Sequence, residues 1–298
     1  MTRPADTVDV MLPHYGRLDL VQETIRSVLA QEDPAWRLTI VDDSGDTTDD
    51  TFGRWCAALG DERVRYLRNP QNLGINRNFA RCVELVDCEL AVIVGSDDLL
   101  LPGYVATVRA AFAAHPEVAI VQPGVEVVGP DGLPARTLVD LSKRWIFAPR
   151  TTGVLGGEAL AVSLLRGNWL YFPSLCWRSG PLRRTGFRPG LQVVQDLALV
   201  LDLLLAGERL LVVPDTAFRY RRHEASVSSA HAADGRRFAE ERAFFLGAAA
   251  RLDAHGWPRA ARAARRHLGS RLNALTRLPG AVRAGAGAGM LARHAFTR

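Results

Sequence analysis

The sequence predicts an α/β fold built on a mostly parallel central sheet flanked by helices. Over the first hundred residues, short apolar runs that suit buried strands alternate with segments whose apolar residues recur at helical spacing. Two of the apolar runs end on pairs of aspartates, Asp42 with Asp43 and Asp97 with Asp98. Because parallel strands share one carboxyl edge, we expect both pairs at a single crevice, where open α/β sheets bind ligands.

The first hundred residues predict four strands and three helices in alternation. Each strand is a run of mostly apolar residues, and each helix carries apolar residues on one face. Such units build parallel sheets, because each helix returns the chain to the same end of the sheet. The strands are expected at residues 8–12, 38–41, 64–67 and 90–94, and the helices at residues 18–31, 47–59 and 75–86.

The second half of the chain predicts a less regular mixture. An aromatic-rich loop is expected at residues 168–174, and residues 138–150 give no assignment. A turn at residues 129–132 predicts a hairpin, and the chain from residue 235 onward is expected to be helical, with a loose glycine- and alanine-rich stretch. Further helices are expected at residues 104–114, 156–166 and 195–206, and further strands at residues 118–122, 125–128, 210–213 and 218–221.

Composition and motifs exclude several classes of protein. No apolar run approaches the roughly 20 residues of a membrane span, and residues 1–10 lack the apolar core of a secretory signal. The four cysteines are scattered, which argues against a disulfide framework or a structural zinc site and favours a reducing compartment. The chain has neither the Gly-x-Gly-x-x-Gly dinucleotide motif nor a P-loop, so a nucleotide must be held in another way.

Charge is unevenly distributed along the chain. From Arg219 to the C-terminus there are 16 arginines and five acidic residues, whereas the preceding part has 21 basic and 27 acidic residues. A basic amphipathic helix is typical of peripheral membrane contact, so the tail predicts an anionic partner. A solvated face on a terminal packing helix explains the pattern equally well. Nucleic acid is not an expected partner.

Six motifs occur in order along the chain: VMLPHYGR, IVDDSGD, NLGINRNFARCVE, VGSDD, VVQDLALVLDLLLAG and FRYRRHEASVSS. Together they resemble the inverting glycosyltransferases of family 2, and they cover about residues 8–229. The resemblance implies the nucleotide-diphospho-sugar transferase (GT-A) fold, which has a Rossmann-like sheet. It also implies a nucleoside-diphosphate sugar donor, a hydroxyl acceptor and a single displacement with inversion.

The first two motifs are assigned by this resemblance to the nucleotide. Tyr15 is expected against the base, where aromatic stacking is worth roughly 1–3 kcal/mol, and Pro13 and His14 are expected to supply loop backbone. One of Asp42 and Asp43 is expected to hydrogen-bond the base or ribose. An Asx turn or a helix cap is the alternative role for either acid.

The third and fourth motifs extend the nucleotide site. The resemblance places Arg77 and Asn78 on the nucleotide side, with Arg77 near the acidic crevice or a phosphate. A solvated helix position is the alternative for Arg77. Ser96 and Asp97 complete the expected set of nucleotide-binding residues.

The VGSDD motif resembles the Asp-x-Asp region that holds Mn²⁺ or Mg²⁺ against the donor diphosphate. Gly95 stands where the first acid is usual, so Asp97 and Asp98 are expected to bind the metal. His223 of the sixth motif is expected as a further ligand or a diphosphate contact, with a surface position as the alternative. Adjacent carboxylates repel each other, which independently favours a divalent cation. The metal would neutralise the charge that develops on the leaving diphosphate.

The fifth motif resembles the segment that carries the general base of the family. Asp196 is expected to take the proton from the acceptor hydroxyl as that oxygen attacks the anomeric carbon. The aromatic loop before it makes Trp169 and Tyr171 candidates for the acceptor pocket, with packing in the core as the equal alternative. The acceptor class stays open among glycan, lipid-linked and natural-product hydroxyls.

The predicted organisation has three parts. Residues 1–125 form a nucleotide-sugar-binding half, residues 126–230 form the acceptor-binding and catalytic half of the same GT-A domain, and residues 231–298 form a basic helical extension. The predicted function is a metal-dependent inverting glycosyltransferase of bacterial glycan or natural-product biosynthesis. It is expected in the cytoplasm, with contact at the inner face of the membrane left open. The alternatives are a non-catalytic nucleotide- or glycan-binding protein, which Asp196 disfavours, and a nucleotidyltransferase, whose glycine-rich phosphate loop is missing here.

Overall fold

A computed structural model describes residues 7–134, 153–222, 236–284 and 288–296, and the structural statements below refer to these ranges. One mixed sheet runs through the molecule. Its strands are β1 (Val8–His14), β2 (Trp36–Asp42), β3 (Val64–Arg68), β4 (Leu90–Ile93), β5 (Leu99–Leu100), β6 (Ile120–Val128), β7 (Gly153–Gly156), β8 (Cys176–Arg178) and β9 (Arg209–Arg221).

Eleven α-helices are described, together with one short 3₁₀ helix at Phe172–Ser174. The first seven flank the sheet, and the last four form the C-terminal extension. They are α1 (Leu18–Leu29), α2 (Thr51–Ala57), α3 (Ile75–Leu85), α4 (Tyr104–Ala114), α5 (Gly157–Arg166), α6 (Ser179–Thr185), α7 (Gln195–Leu205), α8 (Arg236–Ala254), α9 (Pro258–Arg266), α10 (Leu268–Ala284) and α11 (Ala288–Phe296).

The sheet has the order β3-β2-β1-β4-β8-β6-β9-β5, with β7 also paired to β9. The four strands at the N-terminal side are parallel, as the sequence predicts. The rest is mixed: β8 runs antiparallel to both β4 and β6, β9 is parallel to β6, and β5 and β7 are antiparallel to β9. The first four motifs, which the resemblance assigns to the nucleotide and its diphosphate, therefore contain or follow strands of the parallel half. The last two motifs belong to the mixed half.

Strands β6 and β9 each join two segments that the sequence predicts as separate strands. Their pairing shifts register around Gly124, where β9 bulges. A Cβ atom at Gly124 would lie 2.6 Å from the Pro214 carbonyl oxygen, so the missing side chain makes room for the bulge. The predicted turn at residues 129–132 is present, and Val128 forms a single antiparallel bridge with Pro134 beyond it.

Apolar side chains of the sheet divide between two large clusters, one on each face. In β4, Ala91 and Ile93 belong to one cluster, and Leu90 and Val92 belong to the other. This alternation is the two-residue period of a strand buried on both sides. Helices α1, α2 and α4 cover one face, and α3 with α5 to α9 cover the other.

The C-terminal extension is partly integrated into the main core. Helices α8 and α9 contribute Phe244, Leu252 and several alanines to the larger cluster, while α10 and α11 pack on α8 in a small separate cluster with Phe238 at its centre. Helix is described on both sides of residues 285–287, within the stretch that the sequence predicts as loose. Among the described helices, none combines the length and the apolar character that crossing a bilayer requires.

Candidate active site

Strand β1 continues beyond its pairing with β4, and we call this carboxyl edge of the sheet, where open α/β folds bind ligands, the crevice. The two strands pair only as far as Met11, whose carbonyl oxygen accepts a bond of 2.9 Å from the Val94 N–H. Alternate residues of a parallel strand direct their backbone groups to the same neighbour, so Pro13 faces the side on which β4 has ended. Proline lacks an N–H, and here no strand requires one. The backbone of Pro13 therefore borders the crevice.

The two residues after Pro13 differ sharply in exposure. Tyr15 is 69% exposed, as a residue that stacks on a ligand must be. His14 is buried, and its ring packs 4.8 Å from that of Phe52. Burial lowers the pKa of His14 despite the nearby charge of Asp42, so the imidazole is neutral. His14 therefore contributes its backbone to this end of the sheet, where its carbonyl oxygen accepts a bond of 2.8 Å from the N–H of Asp43.

The buried carboxylate of Asp42 is held on both oxygens. The Tyr66 hydroxyl donates to Oδ2 at 2.6 Å, and the Ser44 N–H donates to Oδ1 at 3.0 Å in an Asx turn. Burial alone would raise the pKa of Asp42, but these hydrogen bonds outweigh it and hold the pKa below the ordinary value. Arg68 adds a weaker contact at 3.4 Å. Asp42 is thus held in its ionised form at the end of β2.

Asp43 has a structural role in this geometry. Its Oδ1 accepts bonds of 2.8 Å from the Asn69 side chain and from the Leu73 N–H, and its Oδ2 accepts one of 2.9 Å from the Gly74 N–H. These bonds fix the loop that leads into α3. Asp43 therefore anchors the loop before α3, whose N-cap is Gly74.

Helix α3 turns two asparagines inward. The Asn78 side chain accepts from Asn69 at 2.9 Å and donates to the Val41 carbonyl at 3.2 Å. Both polar groups of the Asn78 amide are therefore bonded within the protein. Arg77 is exposed. Asn76 is buried and donates to Gln195 at 2.9 Å.

Asp97 and Asp98 lie on either side of the space left by Gly95. A Cβ atom at Gly95 would lie 2.5 Å from Asp98 Oδ2 and 3.0 Å from Asp97 Oδ1. Asp98 is only 1% exposed, and its Oδ1 accepts a bond of 2.9 Å from the backbone N–H of Arg221. Burial, reinforced by Asp97, raises the pKa of Asp98 well above its ordinary value. Ser96 and Asp97 are partly exposed.

This carboxylate pair fits a hard divalent cation. It offers two adjacent carboxylates, one of them buried, as oxygen ligands, and oxygen ligands are what Mg²⁺ and Mn²⁺ select. Within the described part of the chain, no group of three or more His, Cys, Asp or Glu side chains could hold a metal ion. Further ligands would have to come from the donor diphosphate, from water or from His223, which lies outside the described residues.

The end of strand β9 secures the pair. β5 is antiparallel to β9, with Leu99 opposite Arg219, so Tyr220 and Arg221 run past the two acids. The Arg221 guanidinium pairs with Glu23 of α1 at 2.5 Å. Burial raises the pKa of Tyr220, and the charges of both aspartates add to the effect. The ring centroid of Tyr220 is 5.3 Å from that of Tyr171.

Asp196 lies in the first turn of α7, two residues after the N-cap Val194. As a whole residue Asp196 is partly exposed, and Asn168 Nδ2 donates to Oδ2 of its carboxylate at 3.1 Å. Burial raises the pKa of Asp196, although backbone N–H groups, Asn168 and the charge of Arg237 oppose the shift. A carboxylate that is more basic than usual suits a general base.

One short segment connects the two acidic centres. Asn168 contacts Asp196, and Tyr171, three residues later, contacts Tyr220 beside the carboxylate pair. Three trans peptide units span at most about 11 Å between their Cα atoms. Trp169 in the same segment is only 7% exposed, and its indole N–H donates to Ser163 Oγ at 3.0 Å. Trp169 therefore packs in the larger core cluster, whereas Tyr171 lies beside Tyr220.

With this geometry in place, comparison with known proteins decides the family. The family model described as "Glycosyl transferase family 2" matches residues 9–173. The chain belongs to glycosyl transferase family 2. A relative in Bacillus subtilis (strain 168) is TuaG, whose name assigns it to teichuronic acid biosynthesis as a glycosyltransferase. The two are 25% identical over 232 residues, which cover 77% of this chain and 84% of TuaG.

A second relative of this family 2 glycosyltransferase is the uncharacterized protein MT1568 of Mycobacterium tuberculosis (strain CDC 1551 / Oshkosh). The two are 35% identical over 109 residues, and the match spans 35% of this chain and 32% of the mycobacterial protein. Among solved structures, residues 1–349 of Staphylococcus aureus TarS align with a TM-score of 0.60 at 15% identity. That alignment covers 94% of this chain and 92% of the TarS chain. The GT-A fold is confirmed.

Three residues that the family motifs did not single out are now tied to the site. Asn168 contacts the carboxylate of Asp196, Asn76 holds the neighbouring Gln195, and Tyr220 lies beside Asp97 and Asp98. Tyr220 and Asn76 could have been found from their places in the FRYRR and NLGINRNFARCVE motifs. Asn168 carries no local signal, because its partner is distant in sequence.

Proposed function

We propose that this protein is a metal-dependent inverting glycosyltransferase that moves a sugar from a nucleoside-diphosphate donor to an acceptor hydroxyl. One observation carries the proposal: the segment from Asn168 to Tyr171 joins Asp196 to the surroundings of Asp97 and Asp98. In this proposal the segment keeps a general base close to a diphosphate-binding pair. Single displacement uses one base, and a bound metal would stabilise the leaving diphosphate.

Asp196 performs the proton transfer in this proposal. As the acceptor oxygen forms its bond to the anomeric carbon, its proton passes to Oδ1 or Oδ2 of Asp196. The bond from the anomeric carbon to the diphosphate oxygen breaks on the opposite face, so the configuration inverts. Asn168 orients the carboxylate through its bond to Oδ2. The raised pKa of Asp196 makes it a better proton acceptor than an ordinary carboxylate.

Asp97 and Asp98 hold the metal in this proposal. When bound, Mn²⁺ or Mg²⁺ neutralises the charge of the departing nucleoside diphosphate. Asp98 is fixed from behind by the Arg221 N–H, and Asp97 is the more exposed of the two. We therefore assign the direct contact with the donor side to Asp97, and Asp98 supports the ion from the interior.

The donor and acceptor classes draw on the comparisons. TarS has been crystallised with UDP and with UDP-GlcNAc, which supports a nucleoside-diphosphate sugar as donor. We assign the exposed ring of Tyr15 and the backbone of Pro13 to the nucleoside. The name of TuaG supports a glycan hydroxyl as acceptor. Tyr171, which borders the site, is the aromatic residue we assign to the acceptor side.

The test separates donor binding from turnover. Thermal shift against nucleoside diphosphates and their sugars with Mn²⁺ identifies the donor through ligand-linked stabilisation. Asp196→Asn should keep that stabilisation and lose hydrolysis or transfer of the sugar. The double variant Asp97→Ala/Asp98→Ala should lose the Mn²⁺-dependent part of the stabilisation. Asp215→Asn, an exposed acid in the β9 bulge, is the matched control and should change neither.

Two results would contradict the proposal. Full turnover in the Asp196→Asn variant would remove Asp196 as the base. Binding of a nucleoside diphosphate with no turnover of any sugar donor would instead support a non-catalytic nucleotide-binding protein.

A further inference from the structure

Helix α10 presents an apolar stripe to solvent. Four of its large hydrophobic residues have a third or more of their surface exposed, and Val282 reaches 62%. Their spacing of three, four and seven residues places them on one side of the helix, with Pro279 in the gap. The stripe runs for about 21 Å at 1.5 Å per residue. Its hydrophobic residues are Leu268, Leu272, Leu275 and Val282.

The stripe is not the face by which α10 packs on the protein. Ala274, about 120° around the helix from the stripe, packs in the small cluster with Phe238 and Leu291, and Leu278 packs against that cluster at the edge of the stripe. The extension therefore packs without using the four residues of the stripe. An exposed apolar face of this length is typical of an interaction surface.

Helix α9, directly before α10, presents a basic stripe. Arg259, Arg262 and Arg266 recur at i, i+3 and i+7 and are exposed, while the alanines between them are buried. None of the three has an ion-pair partner among the described residues. A left-handed residue, His267, links the two helices, so the basic and apolar stripes are consecutive in the chain.

The charge balance of the extension determines which partner fits. From Arg236 to the C-terminus there are 13 arginines and only three acidic residues. All three acids are already engaged: Glu240 accepts backbone N–H groups of the loop before α7, Glu241 pairs with Arg237, and Asp253 pairs with Arg265. A second copy of the chain would bring the same positive charge to the interface. An anionic bilayer complements both the arginines and the apolar stripe.

We propose that α9 and α10 form a peripheral membrane-binding surface for anionic lipids. The leucines and Val282 insert at the boundary between headgroups and acyl chains, and Arg259, Arg262 and Arg266 contact lipid phosphates. Binding of vesicles to this surface is measured with neither donor nor acceptor present. Its test is therefore independent of the glycosyl transfer reaction.

The experiment is vesicle flotation of the full chain. The wild type should bind vesicles of equimolar phosphatidylglycerol and phosphatidylcholine and should not bind phosphatidylcholine alone. Arg259→Gln/Arg262→Gln/Arg266→Gln should weaken binding by about 100-fold, at about fivefold per arginine. Leu272→Gln/Val282→Gln should weaken it by more than about tenfold, because the apolar area no longer inserts.

Matched controls keep the proposal falsifiable. Arg54→Gln/Arg65→Gln/Arg81→Gln makes the same change in net charge at exposed positions outside the extension, and Leu246→Gln removes an exposed leucine of α8. Both should bind like the wild type. Equal loss in the controls, or no preference for anionic vesicles, overturns the proposal. So does a wild-type dimer in light scattering that Leu272→Gln/Val282→Gln converts to monomer, since a second copy would then cover the stripe.

Discussion

The hydrogen bond between Asn168 and Asp196 gives the most direct test of the proposed base. Asn168→Leu keeps the approximate volume of the side chain and removes the donor that lies 3.1 Å from Asp196 Oδ2. A hydrogen bond to a charged group is worth about 1.5–3 kcal/mol. Since 1.36 kcal/mol corresponds to one pKa unit, losing the bond should raise the pKa of Asp196 by about one to two units.

The sign follows from the role of the base. Asp196 must be ionised to accept a proton, so a higher pKa moves the acidic limb of the kcat/KM profile to higher pH by the same one to two units. The assay is hydrolysis of the nucleoside-diphosphate sugar identified by thermal shift, in which water takes the place of the acceptor hydroxyl. Rates are measured across the acidic limb for wild type and variant.

Ser163→Ala is the control for this experiment. It removes the oxygen that accepts the indole N–H of Trp169, so it disturbs the same segment without touching Asp196. The control should lose some stability and keep the position of the acidic limb. If Asn168→Leu lowers the rate equally at every pH and leaves the limb in place, Asn168 only holds the loop, and the reasoning fails.

Three further predictions concern stability and the metal site. Asp43→Ala removes the acceptor of three hydrogen bonds, from the Asn69 side chain and the N–H groups of Leu73 and Gly74. It should lower the free energy of unfolding by about 3 kcal/mol or more, measured by urea titration. Gly95→Ala places a methyl group 2.5 Å from the Asp98 carboxylate, so it should abolish Mn²⁺-linked thermal stabilisation while the circular dichroism spectrum stays unchanged. Burial lowers the pKa of His294 to about 4. The free energy of unfolding should therefore fall by up to about 3 kcal/mol as the pH falls from 6.5 to 4, and His294→Gln should not show this loss. Urea titrations of both proteins at the two pH values measure the difference.

Local patterns were sufficient to predict the parallel half of the sheet. Strands β1 to β4 and the helices between them follow hydrophobic periodicity. Each of these four strands pairs in parallel with another of the four. The sequence predicts two strands where the structure has the single strand β9, because Pro214 and the polar residues after it are typical of a turn. The strand is continuous because Gly124 of β6 has no side chain, which leaves room for the bulge of β9. A short strand such as β8 is formed by its two neighbours and has too few residues for a periodic signal.

The same distinction between local pattern and long-range contact applies to the site residues. The sequence correctly predicts acids at strand ends, but it does not predict which carboxylate oxygens accept hydrogen bonds from the protein itself. Asp43 is occupied by a loop some thirty residues away, and Asn78 is occupied by the same loop. Trp169 looked equally suited to an acceptor and to the core, and its bond to Ser163 in α5 decided for the core. Each of these outcomes depends on a contact between elements, which spacing along the chain does not encode.

Gly95 shows why two distant motifs belong together. The glycine replaces the first acid of the family pattern, and the space it leaves is bounded by the Asp98 carboxylate. Asp98 can turn inward to that position because the backbone of Arg221 in the last motif supplies its hydrogen bond, and Glu23 in turn holds the Arg221 side chain. The missing carboxylate at Gly95 and the buried carboxylate of Asp98 therefore depend on each other, and the pairing of β5 with β9 fixes both. Any residue larger than glycine at position 95 would have to displace the inward carboxylate, which explains how the acid pair remains beside the crevice without the usual first acid.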